Sequence, residues 1–94
     1  MINFELYKIF VAVAKEKNIT RAAEKLNISQ PAITKQIKNL EGQLSMTLFE
    51  RKSKGLELTI NGKELFEKVK RPIEELNKVI RNIKKVDSVY EVRR

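Results

Sequence analysis

The feature that most restricts this fold is a succession of helical patterns with almost no chain between them. Apolar residues recur every three or four positions in Phe4–Lys17 and again from Ile33 to Leu44, which is the spacing of one helix face. Between these segments we predict a short helix that Thr20 caps and that ends at Leu26. The first half of the chain is therefore expected to pack as three short helices around one core.

Asn, Ser and Pro mark where these helices begin and end. Asn18 and Asn27 suit the left-handed conformation in which helices often end. Ser29 is the expected N-cap of the third helix, and Pro31 falls in its first turn, where its missing amide hydrogen costs no helical bond. A single residue separates Asn27 from Ser29. Two helices with so abrupt a turn between them predict a helix-turn-helix at about residues 19–38.

A β-hairpin and one long helix are predicted after these three helices. The segment LELTI alternates apolar and polar residues, and we predict a hairpin at about residues 47–58 with a basic tip at Lys52–Gly55. Thr59 is the expected cap of a helix that ends near Val86, and the final residues, SVYEVRR, are expected to be strand-like or frayed. The apolar stripe of the long helix consists of Phe66, Val69, Ile73, Leu76, Ile80 and Ile83.

The charge of the chain indicates an anionic partner. Twenty basic and twelve acidic side chains give a net charge of +8, which favours nucleic acid over a membrane surface. The stretch ISQPAITKQIK, residues 28–38, holds two lysines and no acid. An acid on a face that enters the major groove would be repelled by two phosphate strands. We therefore predict that the outer face of the third helix lies against DNA, although a solvated basic face is the alternative.

Catalysis and metal binding are not expected. The chain has no histidine and no cysteine, which excludes disulfides and thiolate metal sites, and it shows no carboxylate cluster or acid–base pair. We predict no catalytic residue, no metal and no cofactor. No apolar run approaches the roughly 18 residues of a membrane span. The segment MINFELYKIF lacks the pattern of a signal peptide, so we expect a cytoplasmic protein without membrane contact.

Three motifs carry a resemblance to a known family: RAAEKLNISQPAITKQIKNLE, LFER and the pattern LTxxG. Over about residues 4–66 the sequence resembles the amino-terminal DNA-binding domain of LysR-type transcriptional regulators. The resemblance implies a mainly α fold, a winged helix-turn-helix of three helices plus a β-hairpin wing, in residues 1–59. A linker and dimerisation helix would occupy residues 60–87, and residues 88–94 would be a tail or the start of an effector domain.

The resemblance also implies a set of DNA contacts. The family's base contacts fall on the start of the third helix, its backbone contacts on the start of the second helix, and a phosphate or minor-groove contact on the wing. The predicted set also includes Ser29, although its main expected role is to cap the third helix. The predicted DNA-binding residues are Thr20, Arg21, Ser29, Gln30, Pro31, Thr34, Lys35, Lys38, Arg51, Lys52 and Lys54.

The implied partners are double-stranded DNA with an inverted repeat and a second copy of the chain. The resemblance implies an antiparallel homodimer through the long helix, and it allows a higher oligomer of the full-length protein. We predict that the six-residue stripe is the dimer interface, and packing on its own domain is the alternative. The family continues into a large domain, built like a periplasmic binding protein, that binds a small-molecule effector. We expect this chain to be the first part of such a protein, and a natural stand-alone protein is the other possibility.

The sequence departs from the family pattern in four places. Ser45 replaces the usual Gly, Asn61 the usual Ala, and Thr34 the usual Ser, and Pro72 interrupts the long helix. We expect Pro72 to bend this helix and Ser45 to alter the end of the third helix. The alternatives to a LysR-type regulator are another winged-helix regulator, or a dimeric protein-interaction module that does not contact DNA.

Overall fold

Four helices and one two-stranded hairpin make up the molecule, in a computed structural model that describes the backbone of residues 3–93 and the side chains of residues 3–84. The fold class predicted from the sequence is confirmed, a mainly α winged helix-turn-helix with a long last helix. The elements are α1 (Phe4–Glu16), α2 (Ile19–Leu26), α3 (Gln30–Leu44), β1 (Phe49–Lys52), β2 (Gly55–Leu58) and α4 (Ile60–Arg93).

The turn between α1 and α2 differs from the prediction: α1 ends one residue earlier and α2 is capped two residues earlier. Lys17, not Asn18, takes the left-handed conformation, with φ of 55°. Asn18 caps α2 instead, because its side-chain oxygen accepts a hydrogen bond from the backbone N–H of Arg21 at 3.0 Å. The prediction of Thr20 as the cap is therefore wrong, and Thr20 lies inside the first turn of α2. An Asn can end one helix or begin the next, and here its oxygen satisfies an amide that the helix leaves unpaired.

The turn between α2 and α3 is as predicted. Asn27 has a left-handed φ of 56° and ends α2. The Ser29 hydroxyl accepts a hydrogen bond from the backbone N–H of Ala32 at 3.2 Å, and Pro31 lies in the first turn of α3. This tight connection fixes the angle between the two helices and leaves the start of α3 exposed.

The core lies between α1, α3 and the strand that follows α3. Its largest fully buried side chains are Phe10, Val13, Ile33, Leu40 and Leu48. The ring centroid of Phe10 is 5.4 Å from that of Phe49 and 6.5 Å from that of Phe66. Since these rings come from α1, β1 and α4, one aromatic cluster joins the three-helix domain to the wing and to the long helix.

Glu41 connects α3 to the segment before the wing. Its carboxylate accepts hydrogen bonds from the backbone N–H groups of Leu48 at 2.7 Å and Phe49 at 3.4 Å. Glu41 therefore has a structural role, because its carboxylate satisfies two backbone amides of the segment that leads into the wing. The wing then follows as predicted, with β1 and β2 antiparallel, Lys52 opposite Gly55, and a positive φ of 122° at Gly55.

Thr59 begins α4 as predicted. Its hydroxyl accepts a hydrogen bond from the backbone N–H of Gly62 at 3.0 Å and donates one to the carbonyl oxygen of Thr47 at 2.6 Å. The helix does not end near Val86, and the prediction of a strand-like or frayed tail is wrong for residues 88–93, which are helical. Within the described residues, no helix has both the length and the apolar composition that crossing a membrane would need.

The apolar stripe of α4 divides into two parts. Phe66, Val69 and Ile73 are half-buried and pack against the core of their own domain, so part of each side chain is already covered within the chain. The dimer contact of the six stripe residues stays a prediction. Ile80 is half-buried. Three other apolar side chains farther along α4 are exposed: Leu76 by 45%, Val79 by 51% and Ile83 by 56%.

Candidate nucleic-acid interface

The outer face of α3 is polar and exposed because its inner face is apolar and buried. Ile33 and Ile37 are buried, whereas Thr34, Lys35 and Lys38 are exposed. The helical repeat of 3.6 residues places these two sets on opposite sides of the helix. The side chains that sequence analysis assigned to DNA on this helix therefore share one solvent-facing surface.

This surface forms one wall of a groove of about 1140 Å³. The start of α2 contributes Thr20 to the groove, and the wing contributes Arg51 and Lys52. The residues that line it are Lys17, Asn18, Ile19, Thr20, Gln30, Pro31, Thr34, Lys35, Lys38, Asn39, Arg51, Lys52, Gly55 and Leu56. Side chains far apart in sequence thus meet on one concave face.

The groove is uniformly basic. Its charged residues are Lys17, Lys35, Lys38, Arg51 and Lys52, and no acidic residue lines it. Glu50 lies in β1 of the wing but outside the groove lining, with Oε1 3.5 Å from the Lys52 Nζ. Both side chains of that pair are about half exposed, so water screens the interaction and Lys52 keeps most of its attraction for an anion.

Eight of the eleven predicted DNA-binding residues line the groove, and Arg21, Ser29 and Lys54 do not. The Ser29 hydroxyl is used as a helix cap. Arg21 is exposed on α2, and Lys54 is exposed at the turn of the hairpin. That these three residues contact DNA remains a prediction, because their side chains do not line the groove.

Sequence analysis missed several groove residues, of which Lys17, Asn18 and Asn39 are polar. Lys17 was treated as the last residue of α1, and its position in the groove follows from the left-handed turn described above. Asn39 lies one residue beyond Lys38, and its side-chain amide donates to the Gln36 Oε1 at 3.0 Å. The lysines of the segment KEKN were a sequence signal that could have identified Lys17 as a groove residue. Only the position of the turn, however, decides which way its side chain faces.

Among the side chains of residues 3–84, two carboxyl groups have perturbed pKa values, and neither lines the groove. A hydrogen bond from Lys25 lowers the pKa of Glu16, and one from Lys15 lowers the pKa of Glu74. Both pairs join neighbouring helices, at 2.8 Å and 2.6 Å. They therefore hold the helices together. Within the described part of the chain, no group of three or more His, Cys, Asp or Glu side chains could hold a metal ion.

The sequence that forms α2, α3 and the wing around this basic groove matches a known family. Residues 4–63 match the family described as bacterial regulatory helix-turn-helix protein, lysR family. The chain belongs to this family. It is 47% identical over 70 residues to the transcriptional regulator ClcR of Pseudomonas putida, an alignment that covers 74% of this chain and 24% of ClcR. It is 35% identical over 88 residues to the RuBisCO operon transcriptional regulator of Allochromatium vinosum, which covers 90% of this chain and 29% of that protein.

Solved structures of the lysR family share the fold. The crystal structure of the BenM DBD in complex with catB site 1 DNA matches with a TM-score of 0.77 and 31% identity, over 93% of this chain and 98% of that one. The lysR-family regulator CbnR matches with a TM-score of 0.76 and 36% identity, over 88% of this chain and 29% of CbnR. The chain thus spans about a quarter to a third of the length of the regulators ClcR and CbnR.

Proposed function

We propose that this lysR-family chain binds double-stranded DNA in a sequence-dependent manner and serves as the DNA-binding part of a transcription regulator. The observation that carries the proposal is the single concave, acid-free surface that α3, the start of α2 and the wing form together. An α-helix fits the major groove of B-DNA. In this arrangement α3 enters the major groove while α2 and the wing contact the flanking backbone.

The side chains that line the groove have two proposed roles, which are contact with base edges and contact with phosphates. Gln30 and Thr34 are uncharged and exposed near the start of α3, where hydrogen bonds to base edges select the sequence. A Gln side chain pairs with adenine through two hydrogen bonds. Lys38 and Arg51 carry charge that neutralises phosphates, which positions the protein without reading the sequence. Lys35, between these two sets, reaches either a guanine edge or a phosphate.

The relatives support the same function. ClcR is named as a transcriptional regulator, and the BenM structure contains DNA. A regulator acts where bacterial DNA lies, so we place this protein in the cytoplasm. The surface is built from side chains for binding, and we assign it no catalytic role.

We further propose that the protein binds DNA as a homodimer through the exposed part of α4. Leu76, Val79 and Ile83 recur at spacings of three and four and are about half exposed, so they form an apolar strip on one face of a helix. A second copy of the chain would cover this strip. Two winged domains related by a two-fold axis would then read an inverted repeat. In a longer chain the effector would bind a domain that follows.

The test of DNA binding compares a base-reading residue with a phosphate-binding one. Binding sites are first selected from a random pool of duplexes, and affinities for a selected site and for random DNA are measured over a range of salt concentrations. We expect Gln30→Ala to cost roughly 1–3 kcal/mol on the selected site and much less on random DNA. We expect Lys38→Ala to weaken both and to reduce the salt slope by about one.

Two results would contradict the assignments. Equal losses on selected and random DNA would move Gln30 from reading bases to positioning the protein. Binding that does not depend on salt would contradict DNA binding through the basic groove altogether, because the release of counterions is an unavoidable part of binding a polyanion.

A further inference from the structure

Lys17 combines an unfavourable backbone conformation with a position in the groove. It follows the last residue of α1 with φ of 55°, a conformation in which a Cβ atom crowds the following carbonyl group and which Gly adopts freely. The backbone N–H of Lys17 donates to the carbonyl oxygen of Val13 at 2.8 Å, which holds the turn in place. A long basic side chain thus occupies a position that the backbone alone would assign to Gly.

The end of α1 lies directly against the wing. A Cβ atom added to Gly55 would be 3.6 Å from the carbonyl oxygen of Lys17, so the two backbones lie close enough that a side chain at position 55 would contact Lys17. Lys17 is exposed and lines the groove with Arg51 and Lys52. It therefore belongs to the basic surface although it lies outside both the helix-turn-helix and the wing.

The charge of Lys17 is not neutralised by the carboxylates that the structure describes. Its neighbour Glu16 pairs with Lys25, with 2.8 Å between Oε2 and Nζ. Among the side chains of residues 3–84, no carboxylate forms an ion pair with Lys17. A cation at the carboxyl end of a helix also interacts with the helix dipole, but that role places no requirement on which surface the side chain faces.

We propose that Lys17 binds a DNA phosphate at the junction between α1 and the wing. This proposal rests on the proposed function and adds to it a contact outside the recognition motif. Since the end of α1 lies beside the wing at this point, a phosphate held here would fix the tilt of the domain on the duplex. Contacts of this kind position a protein and carry no sequence information.

The experiment uses four variants of the chain and one duplex selected as described above. Lys17→Gly and Lys17→Asn remove the charge and leave residues that accept the left-handed conformation. Lys17→Arg keeps the charge. Lys68→Gln is the control, since the Lys68 side chain is 72% exposed on α4 and lies outside the groove. Circular dichroism confirms that each variant is folded before affinity is measured across salt concentrations.

We expect Lys17→Gly and Lys17→Asn to weaken binding roughly three- to ten-fold at low salt. Their plots of log affinity against log salt concentration should be shallower by about 0.9 per bound protomer. Lys17→Arg and Lys68→Gln should retain the parent slope. Parent-like slopes in both neutral variants would overturn the proposal while the proposed function stands. A parent protein without salt-dependent binding would overturn both.

Discussion

At the scale of a single residue, the close packing around Gly62 explains why the LTxxG motif ends in glycine. This glycine is buried in the first turn of α4, where a Cβ atom would be only 2.1 Å from the carbonyl oxygen of Leu48 and 2.9 Å from the Leu58 Cδ2. The Thr59 cap sets this close approach, since the Gly62 N–H donates to its hydroxyl. The motif is therefore required for packing, because it lets α4 pass the segment that precedes the wing.

Gly62→Ala and Gly42→Ala should consequently have opposite effects on stability. We expect Gly62→Ala to lower the free energy of unfolding by about 3 kcal/mol or more, because the obstructing atom is backbone and cannot rotate away. Gly42 is exposed within α3, and a Cβ there would meet nothing within 4 Å. Gly42→Ala should raise the free energy of unfolding by about 1 kcal/mol through helix propensity. Urea unfolding measures both, and a Gly62→Ala protein as stable as the parent would disprove the close approach.

Ser45 shows that a departure from the family pattern need not change the structure. Its φ is 54°, so the usual Gly at this position has a physical reason. The helix still ends there: the N–H of Ser45 donates to the carbonyl of Gly42 at 3.3 Å, and that of Met46 donates to the carbonyl of Glu41 at 3.1 Å. The expectation that Ser45 alters the end of α3 is therefore not supported, because α3 keeps a hydrogen-bonded C-cap.

At the scale of elements, one ion pair connects the domain to the long helix. The Lys15 Nζ on α1 is 2.6 Å from the Glu74 Oε2 on α4. This hydrogen bond is the largest cause of the lowered pKa of Glu74. The pair lies beside Ile73, which packs against the domain core. Since α4 extends from the domain toward the proposed dimer interface, the pair helps to set its direction.

The pH dependence of this contact follows from the sign of the pKa shift. The folded-state pKa of Glu74 is below the usual value of 4.5, so the contribution is complete above about pH 4.5 and is lost as pH falls through the lowered pKa. Both side chains are more than 40% exposed, which limits it to tenths of a kcal/mol. On acidification from pH 7 to pH 3, the melting temperature of the parent should fall about 1–4 °C further than that of Glu74→Gln.

Salt provides the control for this measurement. The difference between the parent and Glu74→Gln should shrink at high ionic strength, because exposed charges are screened. Glu16, whose pKa is also lowered, titrates in the same range in both proteins and so cancels in the comparison. Identical acid profiles for the two proteins would mean that the Lys15–Glu74 pair does not contribute to stability.

At the scale of the whole molecule, α4 gives the protein an elongated shape of 53 by 25 by 19 Å. Its 34 residues correspond to about 50 Å of helix, longer than the domain is wide. Phe66 and Ile73 attach the first part to the core, whereas the exposed apolar side chains lie farther along. The proposed dimer therefore needs only the distal part of α4, in which Val79 was not predicted. The bend expected at Pro72 stays a prediction.

Leu76→Glu should separate the proposed dimer without unfolding the domain. The new carboxylate would be buried against apolar side chains of the second copy and would lack a partner there. We expect the dimer to weaken by about 2 kcal/mol or more, and affinity for an inverted repeat to fall with it. Asn82→Glu is the control, because it makes the same change of charge at an exposed position off the strip. Sedimentation at micromolar concentration distinguishes the two, and an unchanged Leu76→Glu dimer would show that the strip packs elsewhere.

Interactions between residues close in sequence were determined by the sequence alone. The Ser29 cap, the hairpin with Gly55 at its turn and the burial of Ile33 and Ile37 all follow from local hydrogen bonding or from helical periodicity. Such features depend on a few consecutive residues, so a pattern suffices to predict them. The exposed face of α3, and with it most of the candidate site, was predictable for the same reason.

The tertiary structure decided which apolar residues of α4 pack on the core and which basic residues line the groove. Periodicity identified the stripe of α4 but could not show that Phe66 packs against Phe10 while Leu76 faces solvent, because that division depends on where α1 lies. Either Lys17 or Asn18 could have taken the left-handed conformation that ends α1. Lys17 takes it and so lies in the groove, because Asn18 caps α2 instead. Long-range packing selects among local alternatives of nearly equal energy, and a sequence pattern does not contain that choice.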